Sequence, residues 1–342
     1  MNNQSVNKQS INRILWIDAA KGIGLLCVIL GHLGVPYLST LVYTFHMPLF
    51  FFLSGIVFSG SKYSPAEFLK RKLKSLVLPY FTLGGVIFAF FSLVYALQHQ
   101  PGQAYLAMLK DFLVQEHFWT VWFLACLFLT EVLYYGIHRL FGKKPLYSTV
   151  LSALVCIVGL ARYRLGWGSL PWNLDVALVA QFFFHAGYLS REHLLRGEEK
   201  PTAPCLRMVQ AAVLMGINAV AGFLCIRVSG SSLDMSVGLY GNELLTFVSA
   251  LAGTLAVILV AKIFPLKPLT YLGSHTMVIF AWHSRIVIVA CDYLYADLGL
   301  FSGGTMADSL LRAAVTFVVI LGLLIPATEL LKRSRCRRLF GL

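Results

Sequence analysis

Two histidines, His32 and His46, flank the turn-forming stretch "GHLGVPYLST", and each sits at the edge of a run of apolar residues. A neutral imidazole near pH 7 can take a proton from a hydroxyl and return it to a leaving group, so such a pair points to general acid–base chemistry. Lys21 precedes His32 by eleven residues, about 16 Å along a single helix at its usual rise. A second basic group, Lys70, Arg71, Lys72 and Lys74 in "FLKRKLKSLVLPYF", has the clustered cations that a polyphosphate needs. The same cluster also suits ordinary charge decoration of a membrane's inner face or attraction to anionic lipid. Glu243, Asp175 and Asn242 fall at a depth similar to the histidines, where a group that orients a base or stabilises an oxyanion would stand. Each also fits the headgroup boundary, where polar residues are favoured, and His46 fits equally a packing histidine hydrogen-bonded across helices.

The elements that carry these residues are set by composition. The chain has 342 residues, 58% hydrophobic and only 13% charged, too little charge for a water-facing surface of that size. Its mean hydropathy is +0.74. A helix of about 20 residues crosses the hydrocarbon, and the pattern predicts ten such spans. They are Ile14 to Leu33, Leu41 to Phe58, Leu76 to Leu97, Phe118 to Ile137, Leu146 to Leu160, Leu174 to Leu189, Met208 to Ile226, Leu239 to Ala261, His275 to Tyr295 and Ser309 to Leu331. The fifth and sixth are short. The expectation is therefore an all-α integral membrane bundle forming one domain over 1–342, with a cytoplasmic segment at 1–13, a basic cytoplasmic tail at 332–342, and both termini cytoplasmic.

Charge placement supports that topology. With the amino terminus inside, 21 of the 28 Lys and Arg fall on the cytoplasmic side and five on the other, while Lys21 and Arg285 lie within spans. The net charge of +13 is thus a topology signal, and nucleic acid drops out as a partner. Asp18 and Lys21 interrupt the first apolar run and no clean cleavage site follows it, so it is a retained helix and not a secretion signal. Seven scattered cysteines show neither metal-ligand spacing nor a disulfide framework, and no metal is expected.

Charges inside spans are costly and mark sites or internal pairs. Asp18 and Lys21 stand three apart, which suits a structural ion pair as well as a functional one. His283, Ser284 and Arg285 could line the same channel as the first histidines, with Asp18 one candidate anion for Arg285.

Five stretches together resemble the membrane-bound acyltransferase-3 family, which includes O-acetyltransferases of bacterial cell-surface glycans. They are "WIDAAKGIGLLCVILGH", "FHMPLFFFLSG", "RKLKSLVLPY", "WTVWFLACLF" and "YLGSHTMVIFAWH", and they span nearly the whole chain. The resemblance implies that the family's basic residue and histidine, ten intervening residues apart, fall on Lys21 and His32. Its cytoplasmic R-x-x-R element falls on Arg71 and Lys74. Two family arginines are lysines here, which keeps charge and loses the bidentate fork. The implied activity is transfer of an acetyl or similar acyl group from cytosolic acyl-CoA, held by Lys21, Arg71 and Lys74, to a sugar or glycan hydroxyl. His32 would be the base, or would carry the acyl group itself, with His46 and Glu243 as further catalytic candidates. Acetyl-CoA or a related acyl-CoA is then a donor substrate and no resident cofactor is implied. The setting is the cell membrane, in contact with the lipid bilayer and with polysaccharide assembly proteins. The expectation is that no further domain follows the last span, so that transfer would be completed by the bundle or by a separate protein. Two other classes fit the same bundle: an exporter of a glycan or lipid-linked intermediate, and a scaffold or sensor for polysaccharide assembly.

Overall fold

The computed structural model describes residues 14–35, 37–115, 120–195, 203–231, 233–301 and 303–342. Residues 1–13, and with them the expected N-terminal segment, lie outside the described residues, as do His117 and Trp119. Among the described residues the regular structure is helical, with one isolated antiparallel bridge between Asp234 and Leu239. The helices are α1 (Leu15–His32), α2 (Leu38–Tyr43), α3 (His46–Ile56), α4 (Pro65–Lys72), α5 (Leu78–Leu97), α6 (Gly102–Val114), α7 (Trp122–Phe141) and α8 (Pro145–Arg164). They are followed by α9 (Leu174–Leu195), α10 (Pro204–Ser229), α11 (Glu243–Ile263), α12 (Lys267–Ser274), α13 (Thr276–Trp282), α14 (Val289–Asp297) and α15 (Met306–Arg333).

The chain is an all-α integral membrane bundle. Among the described residues nine helical stretches are long and apolar enough to cross a bilayer. The sixth expected span, Leu174 to Leu189, is occupied by the 22-residue α9, which is too polar to qualify on composition. Donors and ring nitrogens on it find partners inside the protein, although the buried Gln181 Oε1 has none among the described residues. Gln181 Nε2 donates to the Ser152 carbonyl at 2.5 Å, and the buried His185 ring bonds Tyr134 Oη and Thr149 Oγ1, each at 2.9 Å. In hydrocarbon such groups must find protein partners, so α9 is polar where it faces its neighbours α7 and α8.

Close packing depends on glycine at two contacts. A Cβ on Gly273 would lie 1.6 Å from the Asp18 carbonyl oxygen, and one on Gly22 would lie 2.1 Å from the Leu269 carbonyl oxygen, so α1 and α12 meet backbone to backbone. Gly55 and Gly187 bring α3 and α9 together in the same way. Small residues permit this approach where no hydrophobic effect drives helices together. The result is that α1, bearing Lys21 and His32, runs through the interior against α2, α3, α11, α12 and α13.

Three local breaks aim side chains at the site. The second expected span is interrupted at Thr44 and Phe45, so that His46 opens α3 as its first residue. The ninth is widened between α13 and α14 by a π-helical segment, His283–Ile288. π turns carry an extra residue per turn and recur at functional sites. Finally, the chain between α10 and α11 folds into a small hairpin. Asp234 and Leu239 exchange backbone hydrogen bonds of 2.8 and 2.9 Å, and Asp234 Oδ1 accepts from Ser236 N and Oγ at 3.0 and 2.6 Å.

Candidate active site

His32, the last residue of α1, borders a cavity of about 330 Å³ that also meets Tyr43, His46, Trp122, Asp234 and Arg285. Thr120 and Ser284 add hydroxyls, and Val28, Met47 and Phe280 complete the apolar side. The Asp234–Val237 hairpin thus supplies part of the lining, with Val237 itself exposed.

The ring orientations follow from the backbone. His32 Nδ1 donates to the Val28 carbonyl at 2.8 Å, and His46 Nδ1 donates to the Val42 carbonyl at 2.7 Å. A ring nitrogen bonded to a carbonyl carries the proton, so each Nε2 keeps its lone pair, which is the form a general base needs. Tyr43 lies between them, with its ring centroid 6.0 Å from that of His32 and 5.0 Å from that of His46. Arg285 and Asp234 bring opposite charges to bear on both His32 and Tyr43. Such a concave site, with a few polar groups converging on apolar walls, can hold a small polar molecule beside a base.

Beneath it, Phe50, Phe123 and Phe280 form a buried aromatic cluster with centroids 5.5 to 6.4 Å apart. A Cβ on Gly24 would lie 3.1 Å from the Phe50 ring, which sets that ring between the levels of Lys21 and His32 on α1. The cluster floors the cavity.

The basic group stands at the other end of the bundle. Arg71 is exposed, with its guanidinium 4.1 Å from the Tyr63 ring centroid, while Tyr135 Oη donates to the Tyr63 carbonyl at 3.0 Å. Lys74 is exposed on a π-helical segment, Leu73–Val77, that joins α4 to α5. Lys72 turns inward instead and forms an ion pair with the buried Glu131 of α7. Lys21 acts electrostatically on that same carboxylate. The structure therefore relates Lys21 to the basic group through Glu131, a residue that sequence reasoning passed over although a carboxylate inside an apolar run is itself a signal.

A family model described as an acyltransferase domain matches residues 14–328. The chain belongs to the acyltransferase-3 family. No curated relative and no solved structure matches it. This multi-pass membrane protein is thus an acyltransferase, which separates it from the exporter and scaffold readings.

Within the acyltransferase fold, His32 and His46 are brought to one cavity and Glu243 is not. Glu243 opens α11 and takes a two-pronged ion pair from Arg164, Nε and Nη2 each at 2.5 Å. Asp175 pairs with Arg162 and accepts from Leu170 N at 3.3 Å, and Asn242 caps α11 by accepting from Leu245 N at 3.1 Å. All three do helix-end work away from the lining. Asp18 opens the opposite end of α1, about 21 Å from His32 by helical rise, whereas Arg285 lines the cavity. The anion that shares the cavity with Arg285 is Asp234. Sequence reasoning missed Asp234 and Tyr43, because a hairpin and a six-residue helix leave no periodic pattern to read.

Proposed function

We propose that this acyltransferase moves a short acyl group, acetyl or a relative such as succinyl, from cytosolic acyl-CoA to a hydroxyl of a cell-surface or lipid-linked sugar. The observation that carries the reading is the state of His32: Nδ1–H tied to Val28, leaving the Nε2 lone pair for a polar cavity of about 330 Å³. The acceptor hydroxyl gives its proton to His32 Nε2 while its oxygen attacks the thioester carbonyl. As the tetrahedral intermediate collapses, the C–S bond breaks and the imidazolium returns the proton to the departing thiolate. His46 faces the same space and can bind the acceptor or take part in the relay.

The donor's phosphates are the natural ligands of Arg71 and Lys74, with Lys21 further in. Exposed cations on a helix suit a charged nucleotide approaching from the cytosol. Its acyl-bearing arm then has to pass the level of Phe50, Phe123 and Phe280, so the rings of the floor must part during each cycle. The membrane is the cell membrane, with the basic face inward, the bilayer around the bundle, and polysaccharide assembly proteins as neighbours on the acceptor side. Mass spectrometry of surface glycans from cells with and without the chain tests this. O-acyl groups that depend on the protein are expected, and identical glycan masses would overturn the assignment.

A further inference from the structure

His283 takes no part in the steps above, yet it is fully buried directly behind His32. Its Nδ1 donates toward the carbonyls of Phe280 at 2.8 Å and Ile279 at 3.1 Å. That leaves its Nε2 as an acceptor, 3.4 Å from His32 Nδ1, with the two rings edge to face at a centroid separation of 4.9 Å. The π-helical segment produces this arrangement by letting three consecutive residues serve one place: His283 turns into the core while Ser284 and Arg285 line the cavity.

We propose that His283 is a positioning residue for His32, a neutral counterpart of the group that orients the base in a catalytic triad. Its lone pair shares the His32 Nδ1–H with the Val28 carbonyl, so rotation of the ring that would turn Nε2 away from the cavity costs two contacts instead of one. When His32 accepts the hydroxyl proton and becomes an imidazolium, its Nδ1–H becomes a stronger donor, and an acceptor already in place stabilises that charge without reorganisation. Tyr43, His46, Asp234 and Arg285 are the other titratable or charged groups around the pair. The Nδ1 side of the His32 ring faces the Val28 carbonyl and His283 Nε2.

The inference rests on the reading of His32 as base, and its test separates the two. His283→Gln keeps an acceptor near the Nε2 position, whereas His283→Met fills a similar volume without a comparable one. Initial rates of acyl transfer in membranes with equal amounts of folded full-length protein should show a kcat about 10- to 100-fold lower for His283→Met, with the donor KM unchanged. His283→Gln should recover most of that loss. If the Met variant does not accumulate, His283→Asn, too short to present an acceptor to His32, takes its place in the comparison. Equal rates for the Gln and acceptor-free variants, at whatever level, would reduce His283 to packing and overturn the proposal. Activity in His32→Ala would instead remove the base itself.

Discussion

Lys72 and Glu131 form an ion pair whose side chains are 26% and 7% exposed, and that asymmetry makes the two halves unequal to lose. Replacing Lys72 by Met leaves a carboxylate in the bundle interior. Stranding one partner of a buried pair costs about 3–5 kcal/mol. Lys21, whose field already reaches Glu131, offsets part of this, so a net loss of about 2–4 kcal/mol is expected. Replacing Glu131 by Gln strands only an ammonium on a flexible stem that can swing toward the headgroups, a change expected to cost about 1–2 kcal/mol. The pair exchanged together, Lys72→Met with Glu131→Leu, leaves no buried charge, and such exchanges are often neutral or stabilising. Thermal unfolding in detergent should therefore rank the midpoints with the double variant near the parent, Glu131→Gln below it and Lys72→Met lowest. A Lys72→Met midpoint at or above that of Glu131→Gln, or a double variant that falls by the sum of the singles, would refute the assignment of Glu131 as an interior charge held by cations.

The donor assignment predicts that Arg71→Ala combined with Lys74→Ala raises the KM for acyl-CoA about tenfold with little change in kcat, the loss of two exposed charge-assisted contacts. The effect should shrink as salt rises, and an unchanged KM at low salt would return these residues to surface decoration. Phe50→Ala removes one ring of the cavity floor and should increase thiol release from acyl-CoA in the absence of acceptor, measured colorimetrically on folded protein in detergent. No increase would mean that these rings are not the barrier between donor and cavity.

The sequence made some of this plain and hid the rest for identifiable reasons. His32 and His46 were legible as neighbours because one ends a helix, the other opens the next long one, and a short connection must return the chain to the same depth. Depth, however, says nothing about direction around a bundle. Glu243 lies at a plausible depth and still meets Arg164 of α8 instead of a histidine. Lys72 was read as one cation among four, because α4 is a short amphipathic turn whose inward side is defined only by where α7 places Glu131. The breadth of the α-helical spans came directly from hydropathy, while the amphipathic α6, between the third and fourth expected spans, was hidden by its mixed composition. The sixth span was read as short: α9 extends to Leu195, beyond its apolar run, and carries Gln181 and His185 within that run because both find partners inside the protein.

The account is tested most directly in proteoliposomes with acyl-CoA supplied only to the face bearing Arg71 and Lys74, and a sugar acceptor only to the opposite compartment. Labelled acyl groups should appear on the acceptor with the parent protein and be absent with folded His32→Ala. Transfer undiminished in His32→Ala, or transfer only when donor and acceptor share one compartment, would contradict it.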